Sequence, residues 1–113
     1  MEDLLIDTLT YFNFPVIRQG SMNENENYPN DFFTFWNNDT GKKYYDNVLS
    51  TTTWYFDVNF YSADPGNVSK YLNEAAEQLE HAGFIISESG YDVASDEPTH
   101  TGKGMNVIYM QKH

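Results

Sequence analysis

The sequence predicts an α+β fold: a mainly antiparallel β-sheet with two α-helices packed on one face. Three observations predict it. Residues 51–62 alternate Trp54, Phe56, Val58 and Phe60 with Tyr55, Asp57, Asn59 and Tyr61, the period of two that marks a strand with one face in the core. Directly afterwards, residues 64–84 carry apolar side chains at helical spacing between a start signal and a stop signal. The helical segments are separated by runs of strands, and such segregation gives α+β layers, not alternating βα units.

In chain order, residues 2–13 place Leu5, Leu9 and Phe12 on one helical face, with Leu4 and Thr8 beside them. Glu2 and Asp3 fall in the first turn, at the positive end of the helix dipole. Pro15 closes the segment because the residue before a proline is driven toward extended geometry. Val16-Ile17-Arg18 reads as a short strand. Residues 21–30, rich in Asn and Glu with no apolar period, read as a solvated loop. Phe32 to Trp36 is an aromatic-rich strand. Residues 37–47 carry turn formers, then Lys42-Lys43 and Tyr44-Tyr45, which predicts a connection too long for a tight hairpin turn. After the strand at 51–62, Asp64 caps a second helix and Pro65 opens it. Val68, Leu72, Ala75, Ala76, Leu79 and Ala82 form its apolar face, opposite Lys70, Asn73, Glu74, Glu77 and Glu80. Gly83 supplies a left-handed stop and Phe84 the apolar contact that follows it. Phe84 to Ser87 and Tyr91 to Ser95 read as strand material interrupted at Gly90 by a bulge or turn. Met105 to Met110, apolar on both faces, reads as an interior strand. With no internal repeat and no linker, residues 1–113 are read as one domain.

Composition narrows the function classes. The 113 residues carry 17 acidic and 6 basic side chains, a formal net charge of -11. The cations are Arg18, Lys42, Lys43, Lys70, Lys103 and Lys112, too few to gain much from counterion release on a phosphate backbone, so nucleic acid is not expected as a tightly held ligand. Disordered acidic chains are poor in aromatics, whereas here they make up 17% of residues, which decides for a folded domain. Cysteine is absent, removing disulfides, thiolate nucleophiles and thiolate metal sites together. The N-terminal segment is acidic where a secretory signal is basic, and no run approaches the roughly 20 apolar residues of a membrane span. A cytoplasmic protein without membrane contact is expected. The Asn-x-Ser/Thr triplets at Asn38 and Asn67 are read as chance matches.

No residue pattern carries an enzyme signature. Thr101-Gly102-Lys103-Gly104 departs from a phosphate loop both five positions before its glycine-lysine pair, where Glu97 stands, and after the lysine, and a strand follows it where a helix is required. Asp92, Asp96, Glu97 and His100 form the densest group of acid-base or metal-ligating residues. Asp96 and His100 are four apart, a useful ligand spacing only on a helix, and Pro98 opposes one there. Whether this loop takes Ca²⁺ or Mg²⁺ stays open, although the glycine-punctuated calcium-loop pattern is missing; the plain reading is a solvated acidic loop. His113 ends the sequence and His81 lies near the C-terminus of the second helix, where it suits the helix dipole. No catalytic residue, metal or cofactor is therefore expected.

The aromatic surplus points to an interface. Tyr44, Tyr45, Tyr55, Tyr61 and Tyr91 exceed what one small core hides, and tyrosine combines contact area with a polar tip. In an acidic chain, the Lys42-Lys43-Tyr44-Tyr45 patch suits the acidic face of a neighbouring copy. The candidate interface residues are Lys42, Lys43, Tyr44, Tyr45, Tyr55, Asp57 and Tyr61.

Taken together, the amphipathic N-terminal helix, Tyr28-Pro29 leading into Phe32-Phe33-Thr34-Phe35-Trp36, the alternating strand ending in Phe60-Tyr61-Ser62, the helix between Asp64-Pro65 and Gly83-Phe84, and a late turn from Asp92 to Gly104 before Met105-Asn106-Val107-Ile108-Tyr109 resemble a known family. The chain is similar to the tail terminator (tail completion) proteins and related head-tail joining (neck) proteins of long-tailed bacteriophages and prophages. The resemblance covers most of the chain and rests on order and lengths together. It implies a structural protein of virion assembly, not an enzyme, with no cofactor: a ring, commonly hexameric, that caps the tail tube, stops its polymerisation and meets the head connector. The implied partners are other copies of the chain, the tail-tube protein and the connector protein, with DNA only as cargo through the channel. The implied location is the bacterial cytoplasm during assembly and then the tail or neck of the virion. By position, residues 21–30 and 38–50 are the loops expected to make these contacts. The competing expectation is a small acidic inhibitor that mimics DNA and occupies a nucleic-acid-binding protein.

Overall fold

In a computed structural model the chain is described over residues 1–19, 29–45, 48–95 and 99–113, with backbone alone at Asp39 and Tyr45. The apolar spacing of the first segment forms α1 (Glu2–Leu9), which buries Leu5 and Leu9 and tightens into a 3-10 turn at Thr10–Phe12. Asn13, at φ 60°, adopts the left-handed conformation that stops it. The chain then gives β1 (Val16–Arg18), β2 (Asp31–Tyr45), β3 (Val48–Ser62), α2 (Pro65–His81), β4 (Ile85–Val93) and β5 (Thr101–Lys112). The sheet runs β1-β2-β3-β5-β4; β1 pairs with β2 in parallel and every other pairing is antiparallel.

The ends of α2 follow from its flanking residues. The Asp64 carboxylate accepts from the Gly66 amide at 2.9 Å, and Pro65 occupies the first position, where no amide is needed. At the other end Gly83, at φ +101°, turns the chain so that the Phe84 amide donates to the Leu79 carbonyl at 2.9 Å and the Gly83 amide to Glu80 at 3.1 Å. Those two bonds satisfy carbonyls that the last turn leaves free.

Both helices cover one face of the sheet. Leu5 and Leu9 of α1 and Leu72, Ala75 and Leu79 of α2 join Phe33, Phe35, Phe56, Val58, Phe60, Met105 and Val107 of the sheet in one buried cluster. Phe33 and Phe60 lie opposite each other, ring centroids 4.6 Å apart, and Phe14 and Tyr71 close over them. The expected α+β architecture is observed.

Four local expectations change. Residues 37–45 are strand, not a long connection: Asn37 through Tyr45 pair with β3, with one irregularity between Asn37 and Asp39 and another between Lys43 and Tyr44. The turn-forming residues there are taken up by a bulge, which absorbs one extra residue without ending the ladder. Within the described residues, the loop expected at 38–50 is therefore a hairpin arm. The late turn is shorter than Asp92 to Gly104, since β4 runs to Val93 and β5 starts at Thr101; the Thr101–Gly104 segment lies inside a strand. The interruption in β4 is a double one, with pairing shifts at Ser87 and at Gly90, the latter at φ +88°. β5 is interior, but its second face is covered only in part: Met105 and Val107 on the helix side are buried, whereas on the other side Gly102 and Gly104 are buried and Met110 is exposed. The solvated loop expected at 21–30 lies outside the described residues except for Pro29 and Asn30.

Candidate functional site

Strand alternation gives the sheet a second face that neither described helix covers. Residues paired across an antiparallel ladder share a face, so Thr53, Tyr55, Asp57, Asn59 and Tyr61 of β3 carry with them their partners on β2, β5 and β4. One row across the sheet is Phe32, Tyr61, Gly102 and Val93; the next is Thr34, Asn59, Gly104 and Tyr91; the next is Trp36, Asp57, Asn106 and Glu88. Beyond these, Tyr55 pairs with Ile108, which pairs in turn with Ile85, and Thr53 pairs with Met110. Large apolar side chains stand out on this face: Trp36 is 47% exposed, Tyr55 39%, Ile85 49% and Met110 54%.

The lower part of the face is an aromatic platform. Tyr61 stacks on Phe32, centroids 5.2 Å apart and 21° from parallel. The His100 ring leans on Phe32 at 5.9 Å, and its Nε2 lies 2.7 Å from the Pro29 carbonyl. A carbonyl only accepts, so Nε2 carries the proton and, in the neutral ring, Nδ1 accepts from the Thr99 hydroxyl at 3.0 Å. Thr34 Oγ1 and Asn59 Oδ1, opposite each other across the β2–β3 ladder, are buried without hydrogen-bond partners among the described residues. Each such orphan costs about 1–3 kcal/mol of lost solvation.

Above the platform lies a polar belt. The Tyr91 hydroxyl donates to Asn106 Oδ1 at 3.1 Å, and the Asn106 amide reaches Glu88 Oε2 at 3.5 Å. Asp57 borders a cleft of about 240 Å³ lined also by Asn38, Tyr55, Ser87, Asn106 and Ile108. Burial pushes the Asp57 carboxyl above its usual range. Burial also raises the Tyr91 phenol, with the charges of Asp57 and Glu88 and the Tyr61 phenol adding to it.

Of the residues singled out in the sequence, Tyr55, Asp57 and Tyr61 come together on this open face. Lys42, Lys43 and Tyr44 lie at the far end of the β2–β3 arm. Lys42 and Lys43 do not form one patch, because they are consecutive in a strand and point to opposite faces: Lys43 pairs with Thr51 on the open side and Lys42 with Thr52 on the other. The side chain of Tyr45 lies outside the described residues. The Asp92–His100 group is not assembled as a site among the described residues: Asp92 pairs with Lys103 at 2.9 Å, His100 is held by Pro29 and Thr99, and Asp96 and Glu97 lie outside them. No metal-ligating group of three or more occurs among the described residues. Trp36, Ile85, Met110 and Glu88 are added to the face by register alone, which local sequence patterns do not show. No described helix is long and apolar enough to cross a membrane. Comparison of the sequence with protein-family models and with curated proteins gives no match.

Proposed function

We propose that this chain is a structural subunit of virion assembly, acting as a ring that caps a phage tail tube, ends its polymerisation and joins the tail to the head connector. The observation that carries the reading is the open face: one side of the sheet is sealed by helices while the other presents Trp36, Tyr55, Ile85 and Met110 to solvent. Isolated exposed apolar residues are ordinary, but several on one sheet face mark a surface that another protein covers. The elongated shape, 53 × 28 × 23 Å, and the β2–β3 hairpin arm offer surfaces beyond this face for head-to-tail contact with a neighbouring copy. The order of elements that resembles tail terminators supplies the identity of the assembly. In this reading the partners are other copies of the chain, tail-tube protein and connector protein, DNA passes through an acidic lumen as cargo, and the work is geometric, so no catalytic residue is needed. Assembly takes place in the host cytoplasm and ends in the virion neck.

The test is to mix the chain with polymerising tail-tube protein and image the product by electron microscopy. Capped ends and shorter tubes are expected. Tubes of unchanged length, together with a chain that stays monomeric and binds a DNA-binding enzyme tightly, overturn the reading in favour of an acidic DNA mimic.

A further inference from the structure

We propose that the open sheet face is self-complementary and docks a second copy of this chain face to face, about a twofold axis crossing the strands level with Trp54. This goes beyond the ring: a twofold contact uses one face twice, whereas a closed ring of like contacts joins two different surfaces.

The argument starts from the rows. On β3, Thr51 and Asp57 are six residues apart on the same face, about 20 Å along the strand. Thr51 is flanked by Lys43 on β2 and Lys112 on β5, both exposed. Asp57 is flanked by Trp36 and Asn106, with Glu88 beyond. One end of the face is cationic and the belt 20 Å away, in the same approximate measure, is anionic. Between them stand the exposed Met110, Tyr55 and Ile85.

Among the described residues these charges are not answered by ion pairs. Arg18 pairs with Glu2, Lys103 with Asp92, and Lys70 lies over the Tyr71 ring. Lys43, Lys112, Asp57 and Glu88 have no ion pair among the described residues. Among the described residues Lys42, Lys43 and Lys112 make no ion pair, and two of these three, Lys43 and Lys112, stand together at one end of the open face of a chain of net charge -11. A half-turn about an axis running across the strands in the plane between two facing sheets keeps the cross-strand position and reverses the direction along the strands. It sets Lys43 above the Trp36 position beside Asp57 of the second copy, and Lys112 above Asn106, between Asp57 and Glu88. The same operation brings Met110, Tyr55 and Ile85 of both copies together at the centre. Charge complementarity of this kind fixes register and opposes wrong alignments. Two sheets pack face to face at about 10 Å, which these side chains span.

The size of the footprint sets the strength. Four strands by about 20 Å give about 400 Å² per copy before corrugation, roughly 800 Å² in total, below the about 1,000 Å² of a stable specific interface and in the range of weak, transient ones. The pair is therefore weak and dissociates on dilution.

The experiment is sedimentation equilibrium of the full chain from about 10 µM to about 1 mM, the range in which a weak dimer dissociates. The mass is expected to rise from 13.1 kDa toward twice that value. Lys43→Glu with Lys112→Glu, and separately Asp57→Lys with Glu88→Lys, are each expected to weaken the dimer about tenfold or more, and the four changes together to restore it. The acidic-side reversal is the stricter arm, since it lowers the net negative charge and so lessens general repulsion. Circular dichroism reports whether each variant folds; the exposed lysine pair carries the test if the Asp57 variant does not. A single-chain mass throughout, an unchanged dimer in folded variants, or no recovery in a folded combined variant overturns the proposal. A six-chain assembly indifferent to each paired reversal made separately overturns it while leaving the ring in place, and loss of tube capping with the dimer intact does the reverse.

Discussion

Gly102 and Gly104 are where single atoms decide the shape of the open face. A Cβ at Gly104 would collide with Asn59 Oδ1 and come within 2.6 Å of the Tyr91 ring; at Gly102 it would lie 2.6 Å from the Tyr61 ring and 2.8 Å from a Val93 methyl. The two glycines let the tyrosines lie against β5, and the aromatic platform exists because of them. Gly104→Ala is expected to destabilise the fold by about 1–3 kcal/mol, the cost of forcing atoms into a filled space, read as a lower urea midpoint. Gly41→Ala is the control: nothing lies within 4 Å of its Cβ, so the midpoint is expected to stay or rise. Asp57 makes a second residue-scale prediction. Its folded carboxyl titrates above the unfolded value because burial disfavours the charged form. The sign follows by linkage: its contribution is most favourable below the unfolded carboxyl range and is lost as pH rises through the raised folded value. Asp57→Asn is therefore expected to melt higher than the parent at pH 7, with the difference closing as pH falls into the carboxylate range. Melting curves at high dilution, where copies are apart, check it; a constant difference across pH contradicts the burial account.

At the scale of elements, α2 depends on both its caps. Asp64→Ala removes the carboxylate that accepts from the Gly66 amide and is expected to cost about 1 kcal/mol, the usual worth of such a cap, measured by urea denaturation. Asp64→Asn, which keeps an acceptor oxygen, is expected to avoid most of that loss. The same helix shows what was legible in the sequence. Its start, stop and buried face are set by residues within a few positions of each other, so Asp64, Pro65, Gly83 and the Val68–Leu72–Ala75–Leu79 spacing are enough to draw it. The alternation of β3 likewise separates core from open face and places Tyr55, Asp57 and Tyr61 together. What stays hidden depends on partners far along the chain. Residues 37–45 lack a core-facing period because neither described helix packs on them, and among the described residues their strand state comes from pairing with β3. Trp36, Ile85 and Met110 join the open face through registers that only the assembled sheet defines. The Lys42-Lys43 pair reads as one patch on a line of text and becomes two faces on a strand. Gly102 and Gly104 read as loop flexibility until the tyrosines on neighbouring strands are placed.

On the scale of the whole molecule, the net charge of -11 works against every contact between copies, while the Lys43, Lys112, Asp57 and Glu88 arrangement works for one. The two effects have different ranges. Treated as point charges about 25 Å apart in water, two copies at -11 repel by roughly 20 kcal/mol without screening, about 9 kcal/mol at 0.01 M salt and about 1 kcal/mol at 0.15 M. Ion pairs at contact distance of about 3–4 Å are much less screened at 0.15 M and weaken only as the Debye length itself falls to about 3 Å near 1 M. Repulsion therefore dominates at low salt, complementarity emerges at intermediate salt, and both fade at high salt. Dimer affinity measured by sedimentation is expected to pass through a maximum near 0.15 M and to fall toward about 1 M salt. The Lys43→Glu, Lys112→Glu variant takes the net charge to about -15, so it strengthens the repulsion while losing the complementary pairs, and its association is expected to be weaker and to rise monotonically with salt. A wild-type affinity that also rises without a maximum means that the apolar centre formed by Met110, Tyr55 and Ile85 holds the copies together and that the charges set no register.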